Sequence, residues 1–357
     1  MIISARSHVL RDPPTRVDTS VTDRRSTYRI SRRCGLASAA IGVLLSLVVV
    51  PGTATAATPV EHARSATSNL PSVTKIETSA PVLSNKDVLS ISVSVTASGP
   101  FRGTAELWEG ANKIGENPIY SPSGNTGENP LYQGFATFRE AGSGMATGRR
   151  QYRVRFISQT EGIGSSTSAH QNVTFYFWDK APGTPFYTEV LWMAEAGITT
   201  GVAGGGFDPL GTVDRQAMAA FLFRKEYPHA EKPLCTEKPF VDVAVTAPFC
   251  GEIAWMASER ISTGYEGNKF RPADKVSRQA IAAFLYRLRF PDAGAPRCDS
   301  SEFADVPTSS TFCGEIAWMD RVGITNGYTS GQTRTFRPNE SVSRQAMAAF
   351  LYRVESD

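Results

Sequence analysis

The sequence predicts a multidomain chain: a β-sandwich of short strands followed by an all-α bundle assembled from three copies of one helical unit. Three observations predict it. Residues 88–95, Val-Leu-Ser-Ile-Ser-Val-Ser-Val, alternate apolar and polar, the period of a half-buried strand. Trp192, Trp255 and Trp318 recur at a spacing of 63 residues, with many other positions in the same register. Within those repeats the apolar residues fall at helical rather than strand spacing.

The N-terminus accounts for the charge balance. The chain has 357 residues, 41% hydrophobic and 20% charged, with a net charge of +3. Residues 1–56 hold eight Arg and three Asp; without them 29 basic residues face 31 acidic ones. Such a near-neutral body gives no electrostatic reason to expect a nucleic-acid partner. Arg32 and Arg33 precede an apolar run from Leu36 to Val50, closed by Pro51-Gly52 and followed by the small residues Ala54-Thr55-Ala56. This is the layout of a secretory signal peptide over residues 1–56, cleaved near Ala56. The run is roughly 15 residues, short of the ~20 that cross a bilayer, which argues against a membrane anchor. No other stretch is long enough, so no transmembrane segment is expected in the mature chain. Ser31-Arg32-Arg33 also resembles a twin-arginine export motif. Residues 57–69 are polar and read as a linker.

Residues 70–176 carry the strand pattern. Beyond Val88–Val95, strands are expected at Thr104–Glu109, Tyr132–Arg139, Gln151–Ser158 and Val173–Tyr176, with loops at Glu109–Lys113 and Ser123–Gly127. About seven short strands in ~105 residues suggest a sandwich. At Gly103–Gly110 the segment resembles the bacterial Ig-like domains of secreted proteins. It has no cysteine, so the antibody-type disulfide is absent. Arg153 and Arg155 share a strand face, which reads as a solvated surface before a binding stripe.

The repeat occupies 177–239, 240–302 and 303–357. Phe177/Phe240/Phe303, Asp179/Asp242/Asp305, Ile198/Ile261/Ile324 and Gly201/Gly264/Gly327 share the 63-residue register. Arg278 and Arg344 are 66 apart, so three extra residues enter the third copy in the loop Thr329–Thr335. Each unit opens on Phe-x-Asp and continues into a Trp-bearing helix that stops near the shared Gly, a residue suited to a left-handed cap. A Phe-x-Pro turn follows (Phe207-Asp208-Pro209, Phe270-Arg271-Pro272, Phe336-Arg337-Pro338). A second helix then starts at Asp214, Ser277 or Ser343, all good N-cap types. One such hairpin cannot bury its apolar faces alone; three packed together can.

Together with Gly-Ile-x-x-Gly-Tyr at Gly323–Tyr328 and its variants at Gly197–Val202 and Arg260–Tyr265, these residues resemble the S-layer homology (SLH) family. The resemblance covers about half the chain. It implies a pseudo-threefold bundle that binds a cell-wall polysaccharide, acidic or pyruvylated, and hence an exported protein of the bacterial cell wall or cell surface. One departure stands out. The family's Thr-Arg-Ala-Glu start to the second helix becomes Ser-Arg-Gln-Ala, or Asp-Arg-Gln-Ala in the first copy. The Arg is kept at Arg215, Arg278 and Arg344, while Ala217, Ala280 and Ala346 stand at the acidic position.

A cation in the first turn of a helix opposes the helix dipole, at a cost of a few tenths of a kcal/mol. Three repeats share that mismatch. Either each Arg pairs with a carboxylate such as Asp179, Asp242 or Asp305, or it receives an anion, helped by exposed N–H groups of the helix start. Trp192, Trp255 and Trp318 have two readings, core packing and sugar stacking. The candidate glycan contacts are therefore these three Arg, three Trp and three Asp.

Four cysteines follow the signal segment, Cys235/Cys250 and Cys298/Cys313, each pair 15 residues apart. Four cysteines permit three connectivities, and the repeat favours the local pairing. His62, His170 and His229 do not sit at ligand spacing, so no metal or other cofactor is expected. No His-Glu-x-x-His, Gly-x-Ser-x-Gly or phosphate-binding glycine loop occurs, and the chain reads as non-catalytic. The competing reading is a wall-targeted ligand-binding or hydrolytic protein whose activity lies in the β-domain.

Overall fold

In a computed structural model, residues 69–122, 131–140, 146–228 and 230–356 are described. The expected signal peptide, the linker apart from Asn69, and the Ser123–Gly127 loop lie outside them.

The first part is sheet-rich. It comprises β1 (Ser72–Thr78), β2 (Val82–Ser84), β3 (Leu89–Ala97), β4 (Arg102–Glu109), β5 (Asn112–Tyr120), β6 (Tyr132–Glu140), β7 (Gly148–Ser158), β8 (Ser166–Thr167) and β9 (Gln171–Tyr176). One sheet has the order β1-β3-β6 and the other β2-β9-β7-β4-β5, with β8 on β7. The β2–β9 pair is parallel and the remaining pairs are antiparallel. The alternation read in β3 does what its period demands: Leu89, Ile91, Val93 and Val95 point inward. They meet Ala105 and Leu107 of β4, Val154 and Phe156 of β7 and Phe175 of β9 in one core. β1 and β5 show weaker alternation because each is an edge strand with a single buried residue, Thr74 or Ile119. Pro118 sits in β5, where a missing N–H is tolerated at the sheet's edge.

The second part holds α1 (Tyr187–Glu195), α2 (Arg215–Glu226), α3 (Cys250–Ser258), α4 (Arg278–Arg289), α5 (Cys313–Arg321) and α6 (Arg344–Ser356). The second helix of each repeat is capped as its sequence predicts. Asp214, Ser277 and Ser343 accept from the backbone N–H of Ala217, Ala280 and Ala346. α2 packs on α3, α4 on α5 and α6 on α1, so each second helix meets the first helix of the next repeat and the third closes onto the first. At the centre three backbone hydrogen bonds form a closed triangle: Val213 N–H to Val342 O, Val342 N–H to Val276 O, and Val276 N–H to Val213 O, 2.9–3.1 Å. Arg224, Arg287 and Arg353 each reach back to the carbonyl of Ile198, Ile261 or Ile324, tying the two helices of one repeat together. One expectation needs amending. The three extra residues of the third copy do not form a plain loop but a hairpin, β10 (Tyr328–Ser330) with β11 (Thr333–Thr335), so this part is not wholly helical.

Candidate functional site

The sequence left two roles open for the shared Arg. Pairing with the repeat's Asp is not the one the structure adopts. Asp179 accepts from the backbone N–H of Phe207 and Asp208 with its two oxygens, at 2.7 and 2.8 Å. Asp242 does the same for Phe270 and Arg271, and Asp305 for Phe336 and Arg337. The residue after each Phe is left-handed (Asp208 φ 56°, Arg271 φ 57°, Arg337 φ 59°), a conformation that costs a non-glycine residue about 1–2 kcal/mol. The carboxylate holds that turn shut within its own repeat. Burial opposes ionisation of Asp242, but the N–H groups of Phe270, Arg271 and Asp242 itself, with the Lys269 charge, together hold the carboxyl below its ordinary value.

The arginines instead cross to the next repeat. Arg215 donates its Nε to the carbonyl of Phe270 (2.7 Å) and an Nη to Ser262 Oγ (3.1 Å). Arg278 Nε reaches the Phe336 carbonyl at 2.7 Å, and Arg344 Nε the Phe207 carbonyl at 2.6 Å, closing the ring. Each guanidinium lies on the Phe ring of the turn it bonds, 4.6–4.9 Å from the centroid. Arg215 and Arg278 are 5% exposed, and Arg344 Nη2 is buried with no hydrogen-bond partner among the described residues. No carboxylate lies within ion-pair distance of the three in that set. Burial accordingly pushes all three guanidinium pKa values down. The result is two buried cations, Arg215 and Arg278, and a part-buried third, Arg344, each in contact with aromatic rings and with no carboxylate at ion-pair distance among the described residues.

The N–H groups of the helix start are not available to a ligand. Those of Arg215 and Gln216 bond to Asp274 O and Pro272 O of the next repeat. Arg278 and Gln279 bond to Glu340 O and Pro338 O, and Arg344 and Gln345 to Gly211 O and Pro209 O. Any anion site at these junctions therefore relies on side chains. At two junctions a tyrosine ring gathers two arginines. The Tyr265 ring has both Arg215 (4.8 Å) and Arg271 (4.3 Å) against it, and the Tyr328 ring both Arg278 (4.9 Å) and Arg337 (3.9 Å). Sequence reading passed over these second arginines and the tyrosines as contacts, although their 63- and 66-residue spacing was visible.

The tryptophans sit between repeats. Trp255 meets Phe223 and Tyr227 edge-on, Trp318 meets Tyr286 and Phe290, and Trp192 meets Tyr352. Each joins a first helix to the second helix of the preceding repeat, a packing role. Cys235 bonds to Cys250 and Cys298 to Cys313, the local pairing. Each bridge pins an arm of the chain against the start of α3 or α5. That arm lies so close that a Cβ on Gly251 or Gly314 would stand 1.9 or 2.0 Å from the Pro233 or Pro296 carbonyl oxygen.

The S-layer homology domain profile matches residues 177–219, 239–282 and 302–348. A cell surface protein of Thermoanaerobacter kivui is 29% identical over 118 residues, 32% of this chain and 15% of the relative. The surface-layer 125 kDa protein of Lysinibacillus sphaericus is 29% identical over 165 residues, 45% of this chain and 13% of the relative. This chain therefore spans only a small part of either relative. Among solved structures, a β-glucosidase from Erythrobacter marinus aligns with a TM-score of 0.22 at 10% identity, over 30% of this chain and 16% of its own, a likeness too slight to carry an argument. No helix among the described residues is long and apolar enough to cross a membrane. Repeat register, ring closure and profile agree: residues 177–348 are three tandem S-layer homology domains.

Proposed function

We propose that this is an exported, non-catalytic cell-wall protein, held without a covalent bond by its repeats to an acidic, pyruvate-bearing wall polysaccharide. The observation that carries the reading is the set of junction arginines. Desolvating a cation without an ionic partner is costly, and a carboxylate arriving from outside would recover that cost through charge-assisted hydrogen bonds. S-layer homology repeats and surface-protein relatives support the location. Residues 70–176, with their resemblance to Ig-like domains, serve as the spacer or interaction domain that the repeats present. Export through the N-terminal 56 residues follows from the same reading.

Sedimentation of the full mature chain with purified wall sacculi tests it. Retention that falls after mild acid removes pyruvate ketals, and that falls likewise for Arg215→Gln/Arg278→Gln, is expected. Equal retention with and without acidic substituents, by a protein whose circular dichroism is native, would refute the anion reading.

A further inference from the structure

The outer face of the larger sheet carries a cluster of side chains that the repeats do not use. Inward and outward residues alternate along β4 and β7, so Glu106 and Trp108 of β4 lie beside Arg155 and Arg153 of β7 on the side away from the core. Thr167 of β8 stands opposite Arg155. Trp108, Arg153, Arg155 and Thr167 line a concavity of about 230 Å³. Pockets for drug-sized ligands run to ~300–1,000 Å³, so this one suits a single small ring.

Its charge is unbalanced for a specific reason. Glu106 is the register partner of Arg155, and opposite charges across a strand pair ordinarily attract each other. Here the carboxylate turns to other partners, Lys113 Nζ at 3.0 Å and Trp108 Nε1–H at 3.3 Å. The Lys113 bond holds the Glu106 carboxyl below its ordinary value. Lys113 also takes Glu116, the register partner of Glu106 on β5, at 2.6 Å. One lysine thus engages both acids. Arg153 and Arg155 are left with no carboxylate at ion-pair distance among the described residues. The Arg153 guanidinium lies 5.6 Å from the centre of the Trp108 ring. Its bond to Glu106 sets the turn of that indole. An oriented aromatic plane, two guanidinium groups and a hydroxyl therefore converge on one small hollow.

We propose that this hollow binds a single acidic sugar residue, its ring stacked on Trp108 and its anionic group held by Arg153 and Arg155. The indole offers a flat apolar surface for the C–H face of a pyranose, and the Thr167 hydroxyl is placed to meet a ring hydroxyl. A guanidinium fork matches the paired oxygens of a carboxylate or a phosphate. The β-domain then makes its own contact with an acidic glycan instead of only spacing the repeats from it. Two linked contacts strengthen attachment through effective concentration. The proposal does not rest on what the junction arginines of the repeats bind.

Proton–nitrogen NMR of the full mature chain tests it at the site itself, with the Trp108 indole signal assigned through Trp108→Phe. Methyl glucuronide and glucose 6-phosphate represent the two sources of the anionic group, and methyl glucoside is the neutral control. A saturable shift of the Trp108 signal is expected with one or both anionic sugars, and the sugar that gives it identifies the group. The neutral sugar should bind roughly tenfold more weakly or worse, the worth of one charge-assisted hydrogen bond. Arg153→Gln/Arg155→Gln should weaken the anionic sugar by at least the same factor while the indole signals stay dispersed, which shows the sheet intact. No shift at Trp108 with either anionic sugar, an equal response to the neutral one, or an anionic response unchanged in the double variant overturns the proposal, whatever is found at the repeat junctions.

Discussion

Replacing Cys298 and Cys313 by Ala isolates one staple. The bridge closes a loop of 15 residues of sequence separation and ends at the first residue of α5, whose Cys313 is 2% exposed in the repeat core. Chain entropy assigns a loop of this length roughly 3 kcal/mol. For a cooperative unit of about 150–250 residues, 1 kcal/mol moves the melting temperature by about 2–4 °C, so the variant should melt roughly 6–12 °C lower. Alanine is preferable to serine because a hydroxyl at buried Cys313 would add its own desolvation cost. Circular dichroism at 222 nm on the oxidised chain reads the shift, and dithiothreitol, which opens both bridges, should roughly double it. The bridge also holds Pro296 against Gly314, so Gly314→Ala should cost less in the bridge-free variant than in the wild type. A melting temperature within about 2 °C of wild type, the size of a shift under 1 kcal/mol, would refute the reasoning.

Arg260 has φ 57° where its sister repeats place Gly197 and Gly323, at 69° and 73°. Arg260→Gly should stabilise by about 1 kcal/mol in urea titration, the left-handed penalty being larger than glycine's entropy cost. Gly264→Ala should lose 2 kcal/mol or more (~2–4) in the same assay, since its φ is 74° and a Cβ would lie 2.5 Å from the Phe240 ring. Asp242 has a folded pKa below its ordinary 3.8, so its stabilisation is present above the unfolded pKa and lost as pH falls through the folded one. The stability gap between wild type and Asp242→Asn should accordingly be open at neutral pH and close below the ordinary carboxylate range. Tyr187→Ala should lower stability by about 1 kcal/mol through loss of its edge-on contact with Tyr176, with increased hydrogen exchange confined to α1 and β9.

The helical ring was legible because its constraints repeat. A residue needed at one turn, such as the Phe of Phe-x-Pro, is needed three times, and the 63-residue register separates it from noise. The caps at Asp214, Ser277 and Ser343 were legible for the same reason. What could not be read was direction. Nothing local to Arg215 says that its partner is the carbonyl of Phe270, 55 residues on, rather than the nearer carboxylate of Asp179. Asp179 stood as one of two readings, a partner for Arg, because its task of holding a left-handed turn through backbone N–H groups leaves no trace in side-chain composition. In the β-domain, core strands announced themselves by alternation, whereas the edge strands β1 and β5, nearly free of buried side chains, did not.

The departures of the first repeat have a common physical sense. Repeats 2 and 3 each anchor the start of the first helix with a disulfide, at Cys250 and Cys313. The first repeat has Tyr187 at that position, and Tyr187 packs on Tyr176 of the β-domain. Arg149 then holds the end of α1 through Glu195, and Asn85 completes the bond that the sister repeats make directly between Trp178 and Gly205 positions. The β-domain thus takes over, for the first repeat, work that cysteines and backbone pairing do elsewhere in the ring. The first repeat's loop also differs in composition, with Val202, Gly204, Gly205 and Asp208 where the sister repeats have Tyr, Gly or other residues, and Arg.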